Sequence, residues 1–425
     1  MSMASGGAAA RSGETVRLPR EVWVIAAANF VIAVGYALVA PALPTFAKSF
    51  NVSVTAASAV ISAFAVARLL FAPVSGRLVS VIGERRVYLI VVTIVAVTTG
   101  ACAFATAYWQ LLALRTLSGI GSTMFTVSAI GLMIHLTPAP LRGRASGVWG
   151  TSFLLGNVTG PLIGGGLIAI SLRAPFLVYA GALLVAIGIV WLFLRHSTAI
   201  AAADDDDTPA VGLRAALRHR TYLATLASSF ANGWTAFGVR IALTPLFVIE
   251  VLHRQPSFAG TVFAVFGVGN VAMLLLSGKL SDTLGRKPLV LSGLVLASAG
   301  TIWMGFTTSV PAFLISTVVA GLGTGLLTPP QQAVVADVLG SKARGGQVLA
   351  VFQMTTDVGA VLGPLVAGLL ADKLSYAFAF GVTGALYLLA ALAWIPARET
   401  LPRAGRPGEA HPTPEEAVAV ELPGR

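Results

Sequence analysis

The sequence predicts an all-α membrane protein in which twelve transmembrane helices form two pseudo-symmetric six-helix bundles. Three observations predict this fold class: the chain consists of long apolar runs, its charges lie between those runs, and its two halves repeat. Of the 425 residues, 56% are hydrophobic and only 11% are charged, and the mean hydropathy is +0.85. A soluble domain has about 25% charged residues. The composition therefore excludes a soluble enzyme, a secreted disulfide-rich domain and a disordered chain.

Twelve apolar runs are long enough to cross a bilayer as helices. A hydrocarbon core of about 30 Å requires roughly 20 apolar residues per helix. Within lipid only helices and closed barrels satisfy the backbone polar groups, and these runs are too long and too apolar for barrel strands. The predicted helices, numbered 1 to 12 in chain order, cover residues 22–44, 55–78, 87–107, 109–136, 144–170, 175–195, 221–250, 257–280, 288–307, 311–337, 346–372 and 375–396.

The distribution of lysine and arginine predicts the orientation of these helices. With the N-terminus in the cytoplasm, 21 of the 28 basic residues fall in cytoplasmic segments or at the cytoplasmic ends of spans, four fall outside and three lie deep within spans. This bias is typical of multi-pass membrane proteins, so the net charge of +11 indicates topology and not nucleic-acid binding. We therefore expect a protein of the cell (inner) membrane with both termini in the cytoplasm. Tryptophans near the predicted span ends indicate an interfacial belt; they are Trp23, Trp109, Trp191 and Trp394.

The remaining segments divide the chain into two bundles, a linker and two tails. The linker contains an acidic run at 204–207, which we interpret as solvated because the ligand spacing of a calcium loop is missing. The last segment is rich in Pro, Gly and Glu, and we expect it to be disordered. The predicted organisation is a cytoplasmic tail at 1–21, a first bundle at 22–195, a cytoplasmic linker at 196–220, a second bundle at 221–396 and a cytoplasmic tail at 397–425.

Four short motifs recur in the two halves at a nearly constant shift. The shift is 202 residues for three motifs and 203 for the last. The matches are 76–85 with 278–287, Gly119 and Gly121 with Gly321 and Gly323, Arg142 and Gly143 with Arg344 and Gly345, and Gly160 and Pro161 with Gly363 and Pro364. Because an even number of helices separates the copies, the two halves point the same way across the membrane. An axis along the membrane normal should relate them, with a substrate site between them near mid-membrane.

Three motifs carry a resemblance to a known family. The loop signature G-x-L-x-D-x-x-G-R-K is complete at 278–287 and degraded at 76–85, where Ser80 and Glu84 replace its Asp and Arg. The helix-4 signature R-x-x-x-G-x-G begins at Arg115, and the helix-5 signature G-x-x-x-G-P-x-x-G-G begins at Gly156. From helix 1 to helix 12 the chain resembles the major facilitator superfamily, and within it the 12-helix drug/proton antiporter branch.

The resemblance implies a secondary active transporter that exports a small amphipathic organic compound or drug by alternating access, driven by inward proton flow. The alternative is an uptake symporter or uniporter for a small metabolite. A non-transporting receptor or scaffold is disfavoured, because ionisable residues deep within spans are costly without a role. We expect a small-molecule substrate, protons and the lipid bilayer as partners of a monomer, and no nucleic acid. The sequence has no nucleophile with a base, no zinc-ligand spacing and no Walker loop, so we expect no enzyme, metal or cofactor.

The resemblance also implies gating by the helix 2–3 loop, the helix 8–9 loop and helix 5. In the family these loops act as a latch at the cytoplasmic mouth, and glycine permits the tight turn that each loop needs. The positive-inside rule alone explains the basic residues of these loops. It does not explain why each loop has two glycines seven residues apart. Small residues and a proline allow helix 5 to pack closely and to bend. The candidate gating residues are Gly76, Gly83, Arg85, Gly278, Asp282, Gly285, Arg286, Gly160 and Pro161.

Asp357 is the only acidic residue deep within any predicted span, about 18 Å from the inner end of helix 11. Arg68 of helix 2 is the nearest candidate partner by depth, about 12 Å from Gly76. In the family helices 2 and 11 are neighbours across the two halves. We hypothesise an Arg68–Asp357 pair that is broken and remade as a proton is carried; the alternative is a permanent structural ion pair. The resemblance adds Arg115, seven residues into helix 4, to the proton-coupling residues.

Polar and aromatic residues within the spans are candidates for a substrate pocket, because polar groups prefer the bundle interior and aromatic rings suit organic ligands. Arg240 could bind an anionic substrate group or pair with Glu250, which lies about 15 Å further along the helix. Pro329 and Pro330 predict a break in helix 10. The candidate substrate-binding residues are Asn29, Tyr36, Asn232, Trp234, Phe237, Arg240, Asn270, Gln331, Gln332 and Gln353.

Overall fold

Twelve helical spans account for nearly all of the described chain. The computed structural model describes residues 18–137, 141–194, 213–339 and 346–401. A short helix, Leu213–Ala216, belongs to the linker. Helices 1 to 12 are Arg20–Val39 with Ala42–Lys48, Val54–Ile82, Glu84–Cys102, Tyr108–Leu136, Arg142–Ile170, Ala174–Leu194, Arg220–Glu250, Phe258–Leu284, Arg286–Phe306, Val310–Leu339, Gly346–Lys373 and Tyr376–Trp394.

The described helices confirm the predicted fold class. Eleven of them are long and apolar enough to cross a membrane. Helix 7 completes the set in three consecutive segments, Arg220–Asn232, the π-helical turn Gly233–Val239 and Arg240–Glu250. The predicted boundaries agree to within a few residues for most helices, but helix 2 continues to Ile82 and helix 3 ends at Cys102.

A single glycine connects helix 2 to helix 3, and another connects helix 8 to helix 9. Gly83 has a φ of +90° and Gly285 has a φ of +101°, a region that favours glycine because it has no Cβ atom. Both loops are therefore shorter than predicted. Gly76 and Gly278, the first glycines of the two loop motifs, lie inside helices 2 and 8. Only the second glycine of each motif forms the turn.

The two halves repeat in their packing as well as in their sequence. A Cβ atom on Gly119 of helix 4 would lie 2.4 Å from the Phe64 carbonyl oxygen, and one on Gly321 of helix 10 would lie 2.5 Å from the Phe266 carbonyl oxygen. The two glycines are 202 residues apart in the sequence, and so are the two phenylalanines. A second equivalent pair of contacts joins Gly121 to Val95 and Gly323 to Ala297. The repeat thus forms two pseudo-symmetric six-helix bundles.

The two halves meet along helices 2 and 11 and along helices 5 and 8. Gly165 of helix 5 lies against Gly260 of helix 8. A Cβ atom on Gly260 would lie 2.5 Å from the Pro161 carbonyl oxygen of helix 5. Gly368 of helix 11 packs against Ser58 of helix 2. These contacts lie toward the end of the bundle remote from the described chain ends at 18 and 401. We name this end the distal face, and the end that carries the chain ends the proximal face.

Helix 10 is continuous across Pro329 and Pro330, so the predicted break is wrong. A proline within a helix leaves the carbonyl group four residues earlier without its usual donor. For Pro330 that carbonyl belongs to Leu326, and it accepts a hydrogen bond from the Ser277 hydroxyl of helix 8 at 2.6 Å. A neighbouring side chain therefore replaces the lost backbone donor inside the bundle.

Trp394 does not belong to an interfacial belt. Its side chain is fully buried in the second half, and its Nε1 donates to the Ser228 hydroxyl at 3.1 Å. The other three tryptophans predicted at span ends are 49 to 67% exposed. Position at a span end therefore predicts the exposure of three of the four, and packing against helix 7 explains the exception.

The predicted disordered tail begins too early, because residues 397–401 pack against helix 9. Glu399 accepts hydrogen bonds from the backbone N–H groups of Arg286 at 2.8 Å and Lys287 at 3.0 Å, and so caps that helix. Partial burial disfavours the charged form of Glu399, but the backbone donors outweigh burial and hold the pKa of this carboxyl below its ordinary value of 4.5. The acidic run at 204–207 and residues 402–425 lie outside the described residues.

Replacing Gly285 with alanine should destabilise the protein more than replacing Gly83 does. Both variants place a side chain at positive φ, at a cost of about 1–3 kcal/mol. Only at Gly285 would the new Cβ atom also lie 2.6 Å from Glu399 Oε2. Gly278→Ala is the matched control, because this glycine is helical and a Cβ atom there meets no atom within 4 Å. Thermal unfolding of the purified variants measures the order, and an equal loss in all three would contradict it.

Glu399→Gln should lower the unfolding temperature at about pH 7 and have less effect as the pH is lowered. Because the pKa of Glu399 is depressed in the folded chain, its stabilisation is present above the ordinary value of 4.5 and is lost as the pH falls through the lower, folded value. The loss at about pH 7 should be about 1 kcal/mol, as for other helix caps. Glu21→Gln at the start of helix 1 is the control. A difference from the unmutated chain that stays constant down to about pH 3 would contradict the capping role.

Candidate transport site

One ion pair joins the two halves near the middle of the helices. Arg68 Nη2 of helix 2 lies 3.7 Å from Asp357 Oδ1 of helix 11. The two side chains are 29% and 17% exposed, so neither is fully buried within the bundle. Gln353, one turn earlier on helix 11, donates to the same carboxylate oxygen at 3.4 Å. The hypothesised Arg68–Asp357 contact is therefore present in the structure, and its role in proton coupling stays a prediction.

Both members of the pair lie deep within their helices. Arg68 is fourteen residues from both Val54 and Ile82, the two ends of helix 2. Fourteen helical residues span about 21 Å. The depth counted from Gly76 is too shallow, because helix 2 continues beyond that glycine. At this depth an unpaired charge is costly, so the two side chains compensate each other.

Polar contacts close the two halves together at the distal face. Lys48 at the end of helix 1 forms an ion pair with Glu250 at the end of helix 7, at 3.2 Å. The Tyr376 hydroxyl of helix 12 donates to Glu250 at 2.9 Å. Asp372 of helix 11 accepts hydrogen bonds from the first two backbone N–H groups of helix 2, at 2.9 and 2.7 Å. The structure therefore has a closed distal face.

The second loop motif forms a cluster of charges at the proximal face. Arg286 lies 2.6 Å from Asp282 and 3.3 Å from Asp337, which ties together the ends of helices 8, 9 and 10. Two predicted gating residues, Asp282 and Arg286, thus contact each other. At the positions equivalent to Arg286 and Asp337, the first half has Glu84 and His135, so the basic and acidic residue types are exchanged there.

Three of the predicted substrate-binding residues form hydrogen bonds to a neighbouring helix of their own half. Asn29 is buried and donates to two groups of helix 5, at 2.8 and 3.2 Å. Asn232 accepts a hydrogen bond from the Tyr387 hydroxyl of helix 12 at 3.3 Å. Trp234 donates to the Thr383 hydroxyl of the same helix at 3.4 Å. In this conformation these side chains join neighbouring helices of one half.

The other predicted substrate-binding residues are distributed over several helices. Tyr36 lies with its ring centroid 6.1 Å from that of Phe64. Gln331 is buried, and its Nε2 has no hydrogen-bond partner among the described residues. Asn270 is partly buried on helix 8. The exposed members of the set are Phe237, Gln332 and Gln353. The described contacts of the ten residues do not converge on one pocket.

Arg115 and Arg240 each lie over the ring of a phenylalanine. The Cζ atom of Arg115 is 4.6 Å from the ring centroid of Phe64, and that of Arg240 is 3.4 Å from the ring centroid of Phe266. The two phenylalanines are equivalent in the repeat. Cation–π contacts of this kind stabilise a guanidinium group in apolar surroundings. Glu250 forms its ion pair with Lys48 of helix 1. The predicted alternative partner of Arg240 is therefore engaged elsewhere, and Arg240 lies over the Phe266 ring.

The groups that close the distal face are not indicated by the sequence. Asp372 and Glu250 lie at span ends, where acidic residues are ordinary, so position alone does not indicate their contacts with the other half. Tyr387 is also missed, although a hydroxyl group within an apolar span is a usable signal. Within the described ranges, no three His, Cys, Asp or Glu side chains are grouped so as to hold a metal ion.

Comparison with known proteins agrees with this geometry. The sequence model of the Major Facilitator Superfamily matches residues 25–253 and 225–422 of this chain. The chain is 27% identical to the multi-drug resistance efflux pump PmrA homolog of Lactococcus lactis subsp. lactis (strain IL1403), over 90% of this chain and 95% of that protein. It is 26% identical to the tetracycline resistance protein, class H, of Pasteurella multocida, over 91% of this chain and 98% of that protein.

Solved structures share the fold at lower identity. A bacterial homolog to the human lysosomal transporter Spinster, in an inward-facing and unoccupied conformation, superposes with a TM-score of 0.74 at 16% identity, over 90% of this chain and 97% of the other. A POT family transporter in complex with 5-aminolevulinic acid gives a TM-score of 0.74 at 14% identity, over 88% and 95%. The family match covers most of the chain and confirms the resemblance carried by the sequence motifs. The chain belongs to the major facilitator superfamily.

Proposed function

We propose that this protein exports small amphipathic organic compounds across the cell inner membrane in exchange for protons, by alternating access. Membership of the superfamily makes it a transporter of a small-molecule substrate. Its similarity to a multi-drug resistance efflux pump and to a tetracycline resistance protein supports export of such compounds. The observation that carries the proposal is the Arg68–Asp357 pair, which bridges the two halves near the middle of the helices.

In this mechanism the pair couples protonation to the separation of the halves. While Asp357 is ionised, moving it away from Arg68 leaves two uncompensated charges at a depth where each is costly. When Asp357 takes up a proton, its carboxyl becomes neutral and that cost is reduced to the solvation of Arg68 alone. The partial exposure of both side chains supports access of protons and water to the pair.

Arg115 is the second proton-coupling residue of the proposal. It is 5% exposed and lies over Phe64, which is one helical turn from Arg68 on helix 2. Its positive charge therefore lies against helix 2 close to Arg68, and we assign it a supporting role in proton coupling.

We place the proximal face in the cytoplasm, together with both termini. The excess of lysine and arginine in the segments on that side supports this orientation. The conformation is then inward-facing, since the distal face is closed by the Lys48–Glu250 pair and by Asp372. Opening toward the outside requires these contacts to break, while the loop motifs, including Arg85 and the Arg286 cluster, close the proximal face.

The two bundles act as the moving units in this proposal. The first covers residues 22–195 and the second covers 221–396, joined by the linker at 196–220. The equivalent glycine contacts inside each half support rigid units, because closely packed backbones resist internal rearrangement. Helix 5 packs on helix 1 through Gly160, and next to it Pro161 contacts helix 8, so we assign it the pivot between the halves. One chain contains both units, so we propose that the monomer transports.

Expression of this protein in a drug-sensitive bacterial strain should raise resistance to some amphipathic compounds. An exporter lowers the internal concentration of its substrate, whereas an uptake symporter or uniporter raises it and increases sensitivity. Minimal inhibitory concentrations against a panel that includes tetracycline and cationic dyes measure the effect. Cells with an equal membrane content of the Asp357→Asn variant are the control. Increased sensitivity, without resistance to any compound, would favour the uptake function.

Asp357→Asn should abolish substrate accumulation driven by a pH gradient in reconstituted vesicles. Asparagine keeps the shape of the side chain but does not take up or release a proton. Exchange of labelled for unlabelled substrate should continue, because exchange needs no protonation cycle. A compound identified in the resistance screen serves as substrate, and Glu21→Gln is the matched control for loss of a carboxylate. Undiminished accumulation by Asp357→Asn would refute the coupling role and leave a structural ion pair.

A further inference from the structure

A π-helical turn interrupts helix 7 at Gly233–Val239 and leads into Arg240. The backbone N–H of Arg240 donates to the Thr235 carbonyl, five residues earlier, as expected for a π turn. Arg240 Nη2 donates to the Ala236 carbonyl at 2.9 Å. The turn therefore holds the guanidinium group against its own helix. π turns of this kind frequently occur at functional sites.

The remaining donors of Arg240 have no hydrogen-bond partner among the described residues. Its Nε and Nη1 atoms are buried and form no hydrogen bond with any residue in the described part of the chain. Phe266 covers one face of the guanidinium group at 3.4 Å. The acidic residue of the same helix, Glu250, is paired with Lys48 at 3.2 Å. A buried cation with unused donors is costly, and a negatively charged group at those donors removes the cost.

A small cavity lies beside Arg240 and is lined by residues of helices 7, 8, 9, 10 and 12 of the second half. The buried Thr235 hydroxyl lines it together with Arg240 and forms no hydrogen bond of good geometry with a described residue, and the Tyr387 hydroxyl lies close to both. The hydroxyl groups of Thr301 and Thr324 line it as well, but each donates to a backbone carbonyl of its own helix. The described residues that line the cavity include no Asp or Glu. Its chemistry is that of a site for one compact acceptor with negative charge.

We propose that this cavity, the Arg240 pocket, binds one small anionic group that accepts hydrogen bonds from Arg240 and Thr235. The group is an inorganic anion such as chloride or the carboxylate of the transported compound, since both present a compact negative charge. For the carboxylate the inference rests on the proposed export function, and it narrows the substrate class to anionic or zwitterionic amphipathic compounds. An inorganic anion would instead neutralise Arg240 during every step of the cycle.

Thermal unfolding of the purified full-length chain in detergent tests for the anion. The potassium salt of MES, a bulky sulfonate without a carboxylate, is replaced stepwise by potassium chloride or potassium benzoate at constant ionic strength. Benzamide is the neutral analogue of benzoate. We expect chloride, benzoate or both to raise the unfolding temperature in a saturable way, and benzamide to leave it unchanged. The measurement uses no proton gradient, so its outcome does not depend on whether the chain exports compounds.

Two variants locate the binding site. Arg240→Gln should raise the half-saturating anion concentration by about tenfold or more, because it removes a charge-assisted hydrogen bond. Thr235→Val keeps the shape of the side chain and should raise it by a smaller factor, which keeps the test decisive if Arg240→Gln does not fold. Arg173→Gln, in the exposed loop between helices 5 and 6, is the control and should respond as the unmutated chain does.

The arms of this experiment also distinguish the two sources of the anionic group. Saturation by chloride alone identifies an inorganic anion, saturation by benzoate alone identifies an organic carboxylate, and competition between them identifies one shared pocket. The proposal is overturned if neither anion raises the unfolding temperature of the unmutated chain. It is also overturned if the Arg240 and Thr235 variants respond as the unmutated chain does, or if benzamide stabilises as well as benzoate.

Discussion

The cost of charge within a bilayer is the constraint on which the arrangement of this protein depends. Four ionisable side chains lie deep within the predicted spans, and only Asp357 among them is acidic. It lies opposite Arg68 across the boundary between the halves, at 3.7 Å. The compensated charges therefore sit at the place that must open and close during transport. Arg115 and Arg240 lie against phenylalanine rings within one half, so their environments can persist while the halves move.

A nearly symmetric scaffold carries an asymmetric set of charges. The glycine contacts of the two halves superpose at a shift of 202 residues, and Phe64 corresponds to Phe266. The arginine over each ring nevertheless comes from a different helix, Arg115 from helix 4 and Arg240 from helix 7. Backbone packing by small residues preserves the repeated shape, whereas the polar side chains have diverged. One half supplies the cation of the bridging pair, and the other supplies its carboxylate and the Arg240 pocket.

Sequence rules that predict the structure of a residue from its type and position fail where a neighbouring helix supplies a hydrogen-bond partner. Pro330 does not break helix 10, because the Ser277 hydroxyl donates a hydrogen bond to the Leu326 carbonyl, which lacks its backbone donor. Trp394 is drawn into the second half by a hydrogen bond to Ser228, and Glu399 is ordered by the start of helix 9. Each partner is more than forty residues distant in the chain, so local composition does not indicate it. The same limitation applies to Asp372, whose partners belong to the other half.

The sequence by itself determined the number, order and approximate ends of the twelve spans, because a long apolar run in lipid has few alternatives to a helix. It also determined the repeat, the family resemblance and the choice of Arg68 and Asp357 as partners, although the depth of Arg68 was too shallow. Only the tertiary structure decided which face each span presents, and hence that Asn29 and Asn232 join helices while Arg240 borders a cavity. The reason is physical: lipid and the bundle interior both accept apolar side chains, so hydropathy does not distinguish inside from outside as it does in a soluble helix.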